Sequence, residues 1–249
     1  MTETVGRVVE LWRYPVKSLG GERLQSVECE HRGLEGDRRW AVRGMDGKLG
    51  SGKTTRRFRR MPGLLTLSSF VDEAGRAWIR FPDGEARRVD DATTPAWVGA
   101  VVGEEVALVP EGESPHFDDS PLHLVSSASL AWLYERRPHD QVDRRRFRPN
   151  VVLEIPGTSG RVEERWVGRT LEIGGVVVTI VKPTERCVMT TLAQGDLPFA
   201  PRILKELSEA SEALLGVYAA IVTPGTLRVG DPVRLGEQTL APATGNALT

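Results

Sequence analysis

The feature that most constrains this chain is how often its apolar runs are cut short. LLTLSSFV (64–71) and RAWIRF (76–81) are separated by DEAG, and Asp46-Gly47 and Asp83-Gly84 each have the form of a tight hairpin turn. Residues 5–12, 24–29 and 40–42 are further short, β-branched or alternating segments. Strands this brief with turns this frequent predict a sandwich or barrel rather than crossover helices.

Helical signals come later and are few. Thr94-Pro95 reads as a helix start and Gly103 as its stop, which makes that helix the expected domain border. A strand is expected over 122–125. A helix capped by Ser127 and running to Arg137 should follow, with Leu130, Leu133 and Tyr134 at helical spacing. The runs 151–155 and 176–181 read as strands buried on both faces, the second ended by Pro183. A short amphipathic helix over 201–209 turns Ile203, Leu204 and Leu207 inward, and strands over 218–222 and 227–235 finish the sheet. The predicted class is mostly β (α+β): a small β-barrel domain over 1–103, a second β-barrel domain with peripheral helices over 104–237, and a tail over 238–249. Apolar and charged contents of 40% and 27% over 249 residues suit a water-soluble chain of this kind. With no long apolar run and no leader-like N-terminus, the cytoplasm is the expected location.

Two function classes fit poorly. A formal charge of −1 argues against a nucleic-acid coat, and the clusters 56–60 and 144–148 hold only Phe58 and Phe147 as stacking platforms. Arg144 to Arg146 read as solvated surface cations. The stretch from Gly47 to Thr54 matches the phosphate-loop pattern G-x-x-x-x-G-K-[ST], but that pattern works only where a helix N-terminus follows the loop. Here four arginines would crowd that terminus and Pro62 would stop the helix, so the segment reads as a plain loop that still offers Lys53 to an anion.

The chain has only two cysteines and four histidines, none in a zinc-ligand spacing. Cys29, inside VECEH, reads as a buried strand residue. Cys187 differs: it follows Arg186 at a strand end and is flanked by Thr184, Thr190 and Thr191, a setting in which a thiol becomes a thiolate. Such a thiolate can serve as a covalent nucleophile, a redox centre or a metal ligand. Strand-end loops elsewhere supply cations at Lys17, Arg38 and Arg148, a hydroxyl at Ser18 and an amide at Asn150; the planar arginine fork in particular suits phosphate.

Taken in order, YPVKS (14–18), GLEGDRRW (33–40), SPLHLVSSASL (120–130), FRPN (147–150), ERCVMTT (185–191) and PGTLRVGDPVRL (224–235) resemble a MOSC-domain protein with a MOSC N-terminal β-barrel. The combination is similar to the mitochondrial amidoxime-reducing components and their bacterial relatives. The resemblance implies bound molybdenum cofactor (Mo-molybdopterin), with Cys187 as both metal ligand and catalytic residue. It implies cofactor binding by Lys17, Ser18, Arg38, Ser120, Arg148, Asn150, Glu185, Arg186 and Tyr218. It further implies reductive cleavage of N–O bonds in amidoximes or hydroxylamines, with electrons from a separate flavin, haem or ferredoxin-type protein. A carrier of cofactor or sulfur without turnover is the alternative. The family's acid after the threonines is absent, since Leu192, Ala193 and Gln194 follow Thr191.

Overall fold

The structure is a computed structural model and describes residues 3–238. It is mostly β, with three α-helices among the described residues. Seven strands close into a barrel in the order Val151–Glu154, Leu122–Ser126, Leu214–Thr223, Val176–Glu185, Arg169–Ile173, Pro232–Gln238 and Glu3–Arg13. Closure comes from antiparallel pairing of Glu3–Arg13 with Val151–Glu154. All neighbours are antiparallel except Leu122–Ser126 and Val151–Glu154, which run parallel with α2 (Ser127–Arg136) in the crossover between them. Residues of period two fill the interior: Leu122 and Leu124, Leu171 and Ile173, Val176, Val178 and Ile180, and Val217, Ala219 and Ile221.

The N-terminal strand therefore belongs to the large barrel, and Val27, Cys29 and Leu34 join its core, whereas most of the remaining first hundred residues pack around a second core. Two small sheets (Ser68–Val71, Ala77–Arg80, Ala86–Arg88; and Trp40–Gly44, Leu49–Ser51, Phe58–Arg60, Val106–Pro110) surround a core of Val16, Leu19, Val42, Met61, Leu64, Ile79 and Val98. The helix α1 (Thr94–Val102) closes this core. Thr93 is its N-cap, Pro95 lies in its first turn, and Gly103 ends it in the left-handed conformation (φ 77°) that glycine takes without a Cβ clash. The hairpins expected at Asp46-Gly47, Asp83-Gly84 and 72–75 are all present.

Several sequence readings need correction. Ser126, not Ser127, caps α2: its hydroxyl accepts from the Ser129 amide at 3.0 Å, and the helix ends at Arg136. The third helix, α3 (Pro201–Ser211), is two residues longer than expected; Ile203 and Leu207 are buried and Leu204 is half-buried. Residues 176–181 are not buried on both faces. Helices α2 and α3 pack outside the barrel over Val125, Val152 and Leu215, so the run at 151–155 is covered twice. They do not cover Val181, which stays 45% exposed. Nor does Pro183 end that strand, which continues to Glu185 with Pro183 opposite Val217. The expected final strand is two: Gly225–Arg228 pairs with Ser26–Glu30, whereas Pro232–Gln238 enters the barrel. The expected tail, apart from Gln238, lies outside the described residues.

Of the arginines 144–146, Arg144 is exposed as expected, but Arg146 is not a solvated cation. Arg146 is 0% exposed and donates to the carbonyls of Gln141 (3.1 Å), Leu192 (3.1 Å) and Pro198 (2.7 Å). Arg144 pairs with Glu10, and Arg145 with Asp143 and Asp196. Arg146 thus fastens the segment that follows Cys187 to the short 3-10 turn Arg144–Arg146. Arg146→Lys keeps the charge but cannot reach three carbonyls, so unfolding in urea should show a loss of about 2–4 kcal/mol. A loss below about 0.5 kcal/mol would contradict this anchoring role.

Candidate functional site

A cavity of about 530 Å³ opens where one end of the large barrel meets the N-terminal sheets. From the N-terminal side come Lys17 and Ser18, in the loop after the first strand, together with Arg38 and Lys53. Ser120 precedes the strand Leu122–Ser126, and Arg148 and Asn150 precede Val151–Glu154. Glu185, Arg186 and Cys187 stand at the end of Val176–Glu185, and Tyr218 on Leu214–Thr223. All ten residues singled out in the sequence therefore line one space.

Their backbones are unusual. Ser18 (φ 67°), Arg38 (φ 51°) and Arg148 (φ 54°) are three of the six non-glycine residues with positive φ among the described residues. That conformation costs about 1–3 kcal/mol for an L side chain and persists where the surroundings over-determine it, commonly at functional sites. Here tertiary hydrogen bonds enforce it. Ser18 Oγ donates to the Gly50 carbonyl (3.1 Å). Arg38 pairs with buried Asp37, whose Oδ1 also accepts from the Tyr14 amide (2.8 Å). Arg148 Nη1 donates to the Leu19 carbonyl (2.7 Å). The guanidinium groups of Arg38 and Arg148 both lie against the Tyr14 ring, at 5.0 and 4.3 Å from its centroid. Burial lowers Arg148 to about 10, which leaves it cationic at neutral pH.

Asn150 is buried and already engaged. Its Oδ1 accepts from the His123 amide (3.2 Å) and from Arg38 Nη1 (3.3 Å), and its Nδ2 donates to the Trp12 carbonyl (3.2 Å). It braces the cavity wall. Cys187 is half-buried and begins the 3-10 turn Val188–Thr191, where its carbonyl accepts from both the amide and the hydroxyl of Thr190 (3.0 Å each). Arg186 donates to the Phe147 carbonyl (2.6 Å). Two donors of this cavity's arginines, Arg148 Nη2 and Arg186 Nε, are buried without a hydrogen-bond partner.

Sequence reasoning missed Asp118, His123 and Lys182, which also line the cavity. The Asp118-Asp119 pair directly before Ser120 was the available signal. Asp118 bridges Lys17 and Lys53 (2.9 Å to the latter), and Asp119 accepts from Lys182 (2.6 Å). Burial opposes ionisation of Asp118, yet Lys17 and Lys53 outweigh it and hold the carboxyl well below the usual range. Lys17 is buried, 4.3 Å from the centroid of the Phe58 ring, and its burial lowers it from 10.5 to about 8 against the pull of Asp118.

This predicts a pH signature. A lysine whose folded pKa is depressed costs stability while charged, and that cost is relieved as pH rises from about 8 towards 10.5. Asp118→Asn removes its carboxylate partner, so the variant should lose about 1 kcal/mol near neutrality, modest because the aspartate side chain is 38% exposed. Without Asp118 the folded Lys17 loses its proton still more readily, so chemical denaturation should show that deficit shrinking as pH rises through about 8; a deficit constant to pH 10 would exclude Lys17 as its origin.

Other features behave as loops or core. No helix follows Gly52-Lys53-Thr54; the chain passes instead into the strand Phe58–Arg60, so the phosphate-loop pattern lacks its helix. Cys29 is buried in the barrel core, its thiol pushed up to about 12 by burial. Among the described residues no group of three or more His, Cys, Asp and Glu could hold a metal ion, so a metal at Cys187 would need most of its ligands from a bound group. No helix among them is long and apolar enough to cross a membrane.

The architecture defines a class: a β-barrel joined to smaller N-terminal sheets, with a cation-lined cavity around one thiol at their junction. A MOSC N-terminal beta barrel domain matches residues 5–105 and a MOSC domain matches 111–234, so the chain belongs to the MOSC-domain family that carries this N-terminal barrel. It is 27% identical to mitochondrial amidoxime-reducing component 1 of Homo sapiens, over 94% of this chain and 84% of that one. It is 28% identical to mitochondrial amidoxime reducing component 2 of Bos taurus, over 93% and 83% respectively. In fold it is similar to the YUAD protein from Bacillus subtilis (TM-score 0.53, 10% identity, covering 96% of this chain and all of that one).

Proposed function

We propose that this cavity binds the molybdenum cofactor and that the protein reduces the N–O bond of N-hydroxylated compounds, amidoximes or hydroxylamines, with electrons from a separate donor protein. The observation that carries the reading is Cys187 on the same cavity as two buried arginine donors without partners. Unmet buried donors are costly, so the site suits a ligand rich in acceptor atoms, such as a phosphate joined to a pterin. The cavity volume is also within the usual range for cofactor pockets. Relatives named as amidoxime-reducing components support the reaction class.

When bound, the cofactor would supply two-electron redox chemistry at molybdenum. Lys17, Ser18, Arg38 and Arg148 bind and orient its phosphate, while Ser120, Asn150 and Arg186 form the remaining wall. Glu185 is exposed on the cavity wall two residues before Cys187. Burial raises Tyr218, so its phenol oxygen holds its proton through the neutral range. Opposite it in register is Lys182, whose Nζ carries protons at the cavity edge.

The test loads purified protein with cofactor, measures molybdenum and pterin per chain, and assays benzamidoxime reduction with an artificial electron donor. Near-stoichiometric metal with turnover is the expected result. Absence of both metal and pterin after loading overturns the reading, whereas metal without turnover makes the protein a carrier.

A further inference from the structure

We propose that His123 is a positioning residue for this site: its imidazole locks the Arg186 guanidinium beside Cys187 and sets where the unpartnered Nε of that arginine is presented. The proposal rests on the cofactor reading only for the identity of the ligand.

His123 is 4% exposed on the strand Leu122–Ser126, between the inward-facing Leu122 and Leu124. It therefore lies on the opposite strand face, against the loops that carry the site. Its backbone is tied to Asn150 in both directions: its amide donates to Asn150 Oδ1 (3.2 Å), and its carbonyl accepts from the Asn150 amide (2.8 Å). The ring is contacted on three sides. Nε2 is 3.3 Å from Arg186 Nη1, Nδ1 is 3.4 Å from the Arg148 carbonyl, and the Tyr218 ring stands edge-on at 5.8 Å.

Hydrogen-bond chemistry assigns the tautomer. A guanidinium can only donate and a carbonyl can only accept, so the tautomer with the proton on Nδ1 presents the Nε2 lone pair to Arg186 and donates to the Arg148 carbonyl, while the Leu215 backbone is a further hydrogen-bonding neighbour of the ring. Neutral His123 satisfies both contacts at once, whereas imidazolium would set an N–H against an N–H. Burial and then Arg186 push His123 well below its ordinary 6.5, consistent with that neutral form.

Space for the ring is built into the neighbouring strand. At Gly216 (φ +80°) a Cβ would stand 2.6 Å from His123 Nε2 and 2.7 Å from the Leu124 carbonyl. With Nη1 held by the ring and Nη2 by the Phe147 carbonyl, the guanidinium plane is fixed at two points, and the buried Nε is the donor left over.

The experiment compares wild type, His123→Leu (similar bulk, no acceptor) and His123→Gln (amide oxygen able to accept from Arg186). Two readouts are needed. The first is the Arg186 side-chain ¹⁵Nε–H NMR cross-peak of cofactor-free protein, assigned by its loss in Arg186→Lys. It should be resolved and slow to exchange in wild type and His123→Gln, and averaged with exposed arginines in His123→Leu. The second is retention of molybdenum and pterin through gel filtration after loading, which should fall at least about ten-fold in His123→Leu and recover in His123→Gln. An unchanged cross-peak in His123→Leu overturns the proposal, as does equal retention. Failure of wild type to take up cofactor sinks the functional reading instead, and the NMR arm then decides the positioning role alone. Should His123→Leu not fold, His123→Asn, polar but too short to reach Arg186, is read in the same way.

Discussion

Cys187→Ser should lose N-reductive turnover by more than about 100-fold while melting within about 2 °C of wild type. The size follows from the chemistry of the ligand. Partners one shell removed from a metal are already worth about 10–100-fold, and under the proposed function a hydroxyl, harder and far less acidic than a thiol, would replace a direct ligand. The small effect on stability follows from where the residue sits. Cys187 is half-buried at the start of a 3-10 turn and outside the three apolar core clusters, and the turn is closed by its carbonyl rather than by its sulfur. Turnover after metal loading and a thermal melt on the same sample check both halves. Full turnover would remove the thiol from the chemistry, while a large drop in melting temperature would make it a packing residue.

Arg148→Lys should weaken cofactor retention by about 10–100-fold, the range of one or two charge-assisted hydrogen bonds. The arginine uses one arm on the Leu19 carbonyl, lies against Tyr14, and leaves Nη2 buried and unpartnered beside the cavity. An ammonium cannot do all three, because it lacks the planar fork. Lysine would also inherit the positive φ of position 148 without the contacts that hold it there. Equilibrium dialysis of loaded protein, with pterin fluorescence as the signal, measures the effect. Retention within two-fold of wild type would show that the charge alone suffices.

Legibility in the sequence followed the range of each signal. Turns and caps depend on a few adjacent residues, so the hairpins at Asp46-Gly47 and Asp83-Gly84 and the stop at Gly103 could be read directly. The strand at 176–181 was misjudged because an apolar run does not say which face a helix will cover; Val181 is left bare only because α2 and α3 pack elsewhere. Arg146 shows the same limit in reverse. Three consecutive arginines look solvated, and only the folded chain reveals that the third meets three carbonyls from distant loops. Most site residues were legible as motif pieces beside strand ends, whereas Tyr218, inside Leu214–Thr223, came only from the family resemblance. Asp118 and His123 were not legible, because their part depends on the cations they meet: Lys17, Lys53 and Arg186.

By itself, then, the order of residues determined the mostly β class, the turn positions and a short roster of cationic, hydroxyl and thiol side chains at strand ends. These are local consequences of backbone preference and side-chain chemistry. Barrel closure, with the first strand lying between the last and Val151–Glu154, was decided only in three dimensions. So were the gathering of positions 17 to 218 around one cavity and the stranding of two arginine donors inside it. Burial, which makes those donors and the left-handed residues beside them matter, belongs to the whole packed chain and to no segment of it.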